Sequence, residues 1–191
     1  MPRFHRLSIL SLSMLLIPLL AACGGPTVSP TDTPPPAPTV TPTLGTTTNC
    51  AWNWATQPLP EVSAQLQAAL DAAGIPGATG SAVAFGENCI DYQTNQVRGF
   101  AVMETDFGIQ VPVASLTDLE ALGNLAGQVL LVLERFPVGQ VPGPQPGQVQ
   151  LIFSAGGEEL ALTFTVEQAA AARSAGLSGA VLLEALRAAQ P

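Results

Sequence analysis

The spacing of apolar residues changes repeatedly after the first fifty residues and predicts an alternation of helices and strands. Apolar residues recur every three or four positions in 59–73, 117–136 and 165–187, which is the period of an amphipathic helix. Thr117 and Thr165 each precede a Glu or Gln by three residues, a spacing typical of a capping box at a helix start. The second stretch has the widest apolar face, so we expect it to form the central core helix.

Two glycines, Gly176 and Gly179, are expected to divide the third helical stretch. Ser178 stands where its side chain could cap a last helix. The residues that this last helix is expected to bury are Val181, Leu182, Leu183 and Leu186.

Between the helices, apolar runs with strand-like alternation predict β-structure. These runs cover 78–85, which leads toward Cys89, and then 97–103, 107–113, 148–154 and 159–165. Residues 104–106 could form a turn between two strands or a bulge in one long strand, and the pattern leaves both open. Gly156 and Gly157 separate the last two runs and predict a hairpin turn. Residues 137–147 hold four prolines and three glycines, which favours a surface connection over a binding loop.

The predicted order is helix, strands, helix, strands, helix, within a single domain over residues 50–191. Such an order is typical of an α+β fold, in which a sheet buries one face against helices. We therefore expect a mainly antiparallel sheet with the helices packed on one of its faces.

The N-terminal segment has the pattern of an export signal. A basic start precedes an apolar run over 7–20, which is too short to span ~30 Å of hydrocarbon, and the run ends in Leu20-Ala21-Ala22-Cys23. These four residues resemble the lipobox of bacterial lipoproteins. The resemblance implies a signal peptide over 1–22, cleavage before Cys23, and a lipid on Cys23 that anchors the protein to the extracytoplasmic face of a membrane. The alternative is an ordinary signal peptide followed by a coincidental cysteine.

Residues 23–49 are expected to form a tether between the anchor and the domain. Nine threonines and seven prolines lie in 24–49, and such a composition offers too little apolar surface to fold by itself. An extended polyproline-like chain of this length would reach roughly 80 Å from the membrane. The domain beyond it is similar to uncharacterised bacterial lipoprotein domains, a likeness that carries no catalytic or binding residue across.

Charge and composition exclude several classes of function. All fourteen acidic residues but only four arginines follow Cys23, the chain has no lysine, and its one histidine, His5, lies in the signal peptide. A chain this acidic is not expected to bind nucleic acid. Without histidine, lysine or a free thiol, the mature chain cannot form the usual nucleophilic catalytic units or a histidine-rich metal site. We expect no cofactor and no bound metal.

Two cysteines and two tryptophans stand out near the start of the domain. In an exported protein Cys50 and Cys89 are expected to form a disulfide. Trp52 and Trp54 could form a sugar-stacking platform, but we expect them to pack the start of the domain onto the core.

Glu104 and Asp106 are the carboxylate pair best placed for chemistry, because residues two apart on extended backbone share a face. Such a pair could carry acid-base catalysis or hold calcium, while the simpler interpretation is two solvated side chains.

Taken together, the anchor, the tether and the missing catalytic side chains favour a non-enzymatic, lipid-anchored binding module for an envelope protein, a glycan or a small ligand. The alternative is a carboxylate-dependent glycan hydrolase that uses Glu104 and Asp106.

Overall fold

The structure is a computed structural model that describes residues 50–189. The predicted signal peptide, Cys23 and the tether lie outside the described residues. The elements in chain order are β1 (Cys50–Pro58), α1 (Pro60–Ala72), β2 (Thr79–Asp91), β3 (Val97–Pro112), α2 (Leu119–Leu133), β4 (Gln148–Ala155), β5 (Glu158–Thr165), α3 (Val166–Ser174) and α4 (Gly179–Ala188). None of these helices has the length and apolar character needed to span a bilayer.

The five strands form one sheet in the order β1-β2-β3-β4-β5. Three neighbouring pairs are antiparallel, and β3 and β4 are parallel. The α+β class and the mainly antiparallel sheet are thus confirmed, but the sheet is mixed. The parallel pair arises because α2 carries the chain back along the sheet between β3 and β4, as parallel neighbours require.

The hydrophobic core lies between the helices and one face of the sheet. Alternate residues of the central strands point into it, among them Ile109, Leu151 and Leu162, each fully buried. Helix α2 contributes the largest number of buried residues of any helix, which confirms its prediction as the central core helix. It packs so closely on α4 that a Cβ at Gly123 would meet the carbonyl oxygen of Gly179.

The predicted helix starts are partly right. Thr165 and Gln168 form the expected capping box at α3. At α2 the N-cap is Asp118 rather than Thr117, and its carboxylate accepts the N–H of Ala121. Glu120, the other member of the predicted box, instead accepts the N–H of Ala180 at the start of α4.

The last helix also differs from its prediction at one position. Leu182, Leu183 and Leu186 are buried as expected, but Val181 is 64% exposed. Ser178 is the N-cap residue of this helix, although its side chain makes no capping hydrogen bond. The buried face of α4 is narrow and is formed by Leu182, Leu183 and Leu186. Val181 lies outside this face and therefore points away from the core.

The two strands predicted around residues 104–106 are one continuous strand, β3. Phe85 pairs with Glu104 and Gly86 pairs with Val102, so Met103 is an extra residue in β3. A β-bulge of this kind accommodates one additional residue while pairing continues on both sides. The bulge alternative is therefore correct, and residues 104–106 lie within the strand.

The proline-rich segment 137–147 is attached to the edge of β3 and is more than a surface connection. Thr105 is buried, and its hydroxyl donates to the carbonyl of Pro142 at 2.6 Å. The N–H of Gln145 donates to the carbonyl of Met103 at 3.1 Å. Through these bonds, the segment before β4 extends the contact of β4 with β3 as far as the β-bulge.

We expect Thr105→Val to loosen this segment, because the change keeps the side-chain shape but leaves the Pro142 carbonyl without its donor. The free energy of unfolding, measured by urea denaturation of the full chain, should fall by about 1–3 kcal/mol. Thr163→Val is the matched control, since the hydroxyl of Thr163 makes no hydrogen bond in the part of the chain that the structure describes. Equal losses in the two variants would show that Thr105 does not anchor the segment.

Candidate functional site

The second face of the sheet is covered by no described helix, and we call it the open face. It carries the side chains that alternate with the core residues along each strand. Near its centre Gly108 has no side chain, which leaves two adjoining hollows of about 340 and 320 Å³. Ser81 and Gln150 border both hollows. The open face includes Trp52 and Trp54 on β1, Ser81, Val83, Phe85 and Glu87 on β2, Glu104, Asp106 and Gly108 on β3, and Gln148 and Gln150 on β4.

The tryptophans lie on β1, a strand that the sequence pattern did not predict. Trp52 is 55% exposed and Trp54 is 58% exposed, so the prediction that they pack onto the core is wrong. β1 adds to the sheet edge beside β2, and its tryptophans project on the side without helices. The ring of Trp54 stacks on Phe85, with centroids 5.3 Å apart and planes 7° from parallel. We call Trp52, Trp54 and Phe85 the aromatic patch.

The two candidate carboxylates differ in their surroundings. Asp106 accepts the backbone N–H of Gln148 at 2.7 Å and so helps to hold the start of β4 against β3. The carboxylate of Glu104 makes no hydrogen bond or ion pair with any described residue. Partial burial raises the pKa of Glu104, and the nearby charge of Asp106 raises it further.

The raised pKa has a defined effect on stability. Folding favours the protonated form of Glu104, so its contribution to stability is greatest at acidic pH. That contribution is lost as the pH rises through the shifted pKa, since the folded state then holds an unpaired, partly desolvated charge. At neutral pH this carboxylate is therefore a group that a positively charged ligand would stabilise.

The strand register brings the four candidate residues onto the same face. Phe85 is directly opposite Glu104 across β2 and β3, and Val83 is opposite Asp106. Trp54 is directly opposite Glu87 across β1 and β2. Sequence reasoning missed Phe85 and Glu87, since only the pairing of β1 with β2 places them beside the tryptophan.

The disulfide between Cys50 and Cys89 is present, with the two Cα atoms 5.0 Å apart. It joins the first residue of β1 to β2 at the end of the aromatic patch. Because β1 has only one neighbouring strand, this bond fixes the edge that carries both tryptophans.

Arginines that the structure describes are mostly engaged away from the open face. Arg98 pairs with Asp91 at 3.0 Å, and Arg187 pairs with Glu184 at 2.9 Å. Arg173 pairs with Glu134. The pKa of Asp91 is lowered mainly by the N–H of Thr94, then by that of Gln93 and by Arg98. The carboxylates of the open face have no comparable basic partner among these arginines.

Residues 50–189 contain no group of three or more side chains suited to hold a metal ion. In comparisons with protein-family models, curated proteins and solved structures, no significant match to this chain was found. The open face is therefore the feature of the molecule that bears on function.

Proposed function

We propose that this protein is a lipid-anchored extracytoplasmic lipoprotein whose domain binds an envelope component on the open face of its sheet without chemical turnover. The lipobox and tether support this location, with the lipid on Cys23 as the membrane attachment. The domain supplies the binding surface. Its ligand would be an envelope protein, a glycan or a smaller molecule.

The observation that carries this proposal is the grouping of exposed aromatic rings with unpaired carboxylates on a sheet face that no described helix covers. Large aromatic side chains exposed by more than half are typical of interaction surfaces, because their burial by a partner is favourable. The shallow hollows beside Gly108 add polar groups from Ser81 and Gln150. Such a face can contact an extended ligand along several strands.

A carboxylate-dependent glycan hydrolase is the alternative, since Glu104 and Asp106 share the open face with both tryptophans. Glycosidases place two carboxylates about 5–9.5 Å apart on either side of the bond that is cleaved. Here both carboxylates project from the same face of one strand, so they would contact a ligand from the same side. The carboxylate of Asp106 also accepts a backbone N–H already. This arrangement supports binding better than catalysis.

The hydrolase hypothesis is tested by the double variant Glu104→Gln with Asp106→Asn. Both changes keep side-chain size, and the amide that replaces the Asp106 carboxylate retains an oxygen able to accept the Gln148 N–H. We expect the wild-type full chain and the double variant to release equally little reducing sugar from envelope glycans. The matched control is Glu158→Gln with Glu159→Gln at the start of β5, which removes the same charge elsewhere. Turnover that is present in wild type and control but lost in the double variant would establish the hydrolase instead.

A further inference from the structure

We propose that the aromatic patch, together with Glu87 and Glu104, is a site for guanidinium groups, and that its ligand is an arginine-rich polypeptide segment. This inference rests on the proposed function, since it assumes that the open face is the binding surface. The inference adds the chemical class of the ligand to that proposal.

The geometry places a carboxylate on each side of an aromatic stack. Glu87 is directly opposite Trp54, and Glu104 is directly opposite Phe85, whose ring is stacked on Trp54. Directly opposed residues of an antiparallel pair have their Cβ atoms about 4.5–5.5 Å apart, so each carboxylate lies within reach of a group resting on the rings. A planar guanidinium can stack on an aromatic ring while its N–H groups reach a carboxylate.

These two carboxylates are the only ones among residues 50–189 that are partly buried and lack both a hydrogen bond and an ion pair, since the other carboxylates without a partner are exposed. Asp91, Glu134 and Glu184 are paired with arginines. Asp106, Asp118 and Glu120 accept backbone N–H groups. By contrast, the carboxylates of Glu87 and Glu104 have no hydrogen bond or ion pair among residues 50–189. A cation would give them the partner that the fold does not supply.

Hydrogen-bonding capacity favours an arginine side chain over a neutral glycan. Apart from the indole N–H groups, the side chains of the site offer only acceptors, whereas sugar hydroxyls both donate and accept. A guanidinium only donates, which matches the carboxylates. In addition, residues 50–189 hold thirteen acidic residues and four arginines, a net charge of −9 that attracts cationic ligands over longer distances.

Tryptophan fluorescence provides a direct test, because Trp52 and Trp54 are the chain's only tryptophans and both belong to the site. The full chain in non-ionic detergent would be titrated with hexa-arginine and with hexa-citrulline, a neutral peptide of nearly the same shape. We expect saturable emission changes with hexa-arginine, weakened by salt, and none with hexa-citrulline. Glu87→Gln with Glu104→Gln should weaken binding about tenfold or more.

Two controls make the result specific. Glu158→Gln with Glu159→Gln removes the same total charge at the far end of the sheet, and its affinity for hexa-arginine should stay within about twofold of wild type. Trp54→Leu removes the stacking ring and should weaken binding, with Trp52 still reporting it. Equal weakening in both double variants would mean that only net charge matters and would overturn the site. Binding of hexa-citrulline as tight as that of hexa-arginine would overturn the guanidinium specificity.

A second experiment, in which oxidation of Trp54 is measured with a solubilised envelope extract, distinguishes failure of this inference from failure of the proposed function. If a solubilised envelope extract protects Trp54 from oxidation but hexa-arginine does not bind, the guanidinium inference is wrong and the open face remains the binding surface. Displacement of the extract's ligand by a neutral envelope glycan fragment, and not by hexa-arginine, would likewise overturn it in favour of a glycan. If neither the extract nor hexa-arginine affects either tryptophan, the proposed function fails as well.

Discussion

Replacement of Cys23 with Ala is expected to abolish lipid labelling and to move the protein completely from the membrane fraction to the soluble fraction. Acyl chains contribute ~0.8 kcal/mol per buried methylene, so two or three chains hold a protein on a bilayer without a spanning helix. None of the described helices can replace this anchor. The measurement is incorporation of radiolabelled palmitate together with membrane fractionation.

Cys50→Ala is the matched control for this experiment, because it makes the same substitution at a cysteine of the folded domain. The control should keep both its lipid label and its membrane association. Retention of the Cys23→Ala protein on salt-washed membranes would show that something other than the lipid holds it there, and the lipoprotein assignment would be wrong.

Loss of the Cys50–Cys89 disulfide is expected to give the largest change in stability. The bond closes a loop of 39 residues, which in the chain-entropy model stabilises the folded state by roughly 4 kcal/mol. Reduction, or the double variant Cys50→Ala with Cys89→Ala, should lower the melting temperature by roughly 10 °C. Thermal unfolding with and without reductant measures this change.

Mass spectrometry of the non-reduced, exported protein should find the peptides of Cys50 and Cys89 joined. Reductant should have no effect on the melting temperature of the double variant, which lacks the bond. If both thiols are free in the exported protein, or if reduction leaves the wild-type transition unchanged, the disulfide does not stabilise the domain.

The elements that could be predicted from sequence are those specified by local chemistry. Gly156 and Gly157 both adopt positive φ in the hairpin turn, a conformation that glycine accepts without steric cost. Thr165 caps α3 through its own side chain. In each case the residues that decide the structure lie within a few positions of one another, so their spacing is visible in the sequence.

Most of the candidate site depends on contacts between distant segments and could not be predicted in the same way. No residue of β1 is buried in the core, so its sequence lacks the apolar alternation of the other strands, and it becomes a strand because β2 offers an edge for it to pair with. Register then places Glu87 beside Trp54, 33 positions away along the chain. The parallel pairing of β3 with β4 is also nonlocal, since the crossover through α2 sets it.

Glu104 and Asp106 were predictable as neighbours on one face, but their different roles were not. Asp106 is held by the N–H of Gln148, a contact that exists only because β4 begins beside it. Glu104 lies next to the bulge, and its carboxylate has no partner within the described part of the chain. Strand alternation thus predicted the face, and tertiary pairing decided which carboxylate remains available to a ligand.

Hydroxyl-radical footprinting of the full chain tests most directly whether the ligand binds on the open face. Oxidation of individual side chains would be measured with and without a solubilised envelope extract. Leu131 on α2 and Val181 on α4 are 50% and 64% exposed and serve as internal controls on the helical side. We predict that the extract slows oxidation of Trp52 and Trp54 and leaves Leu131 and Val181 unchanged. Protection of Leu131 and Val181 with no protection of the tryptophans would contradict the open face as the binding surface.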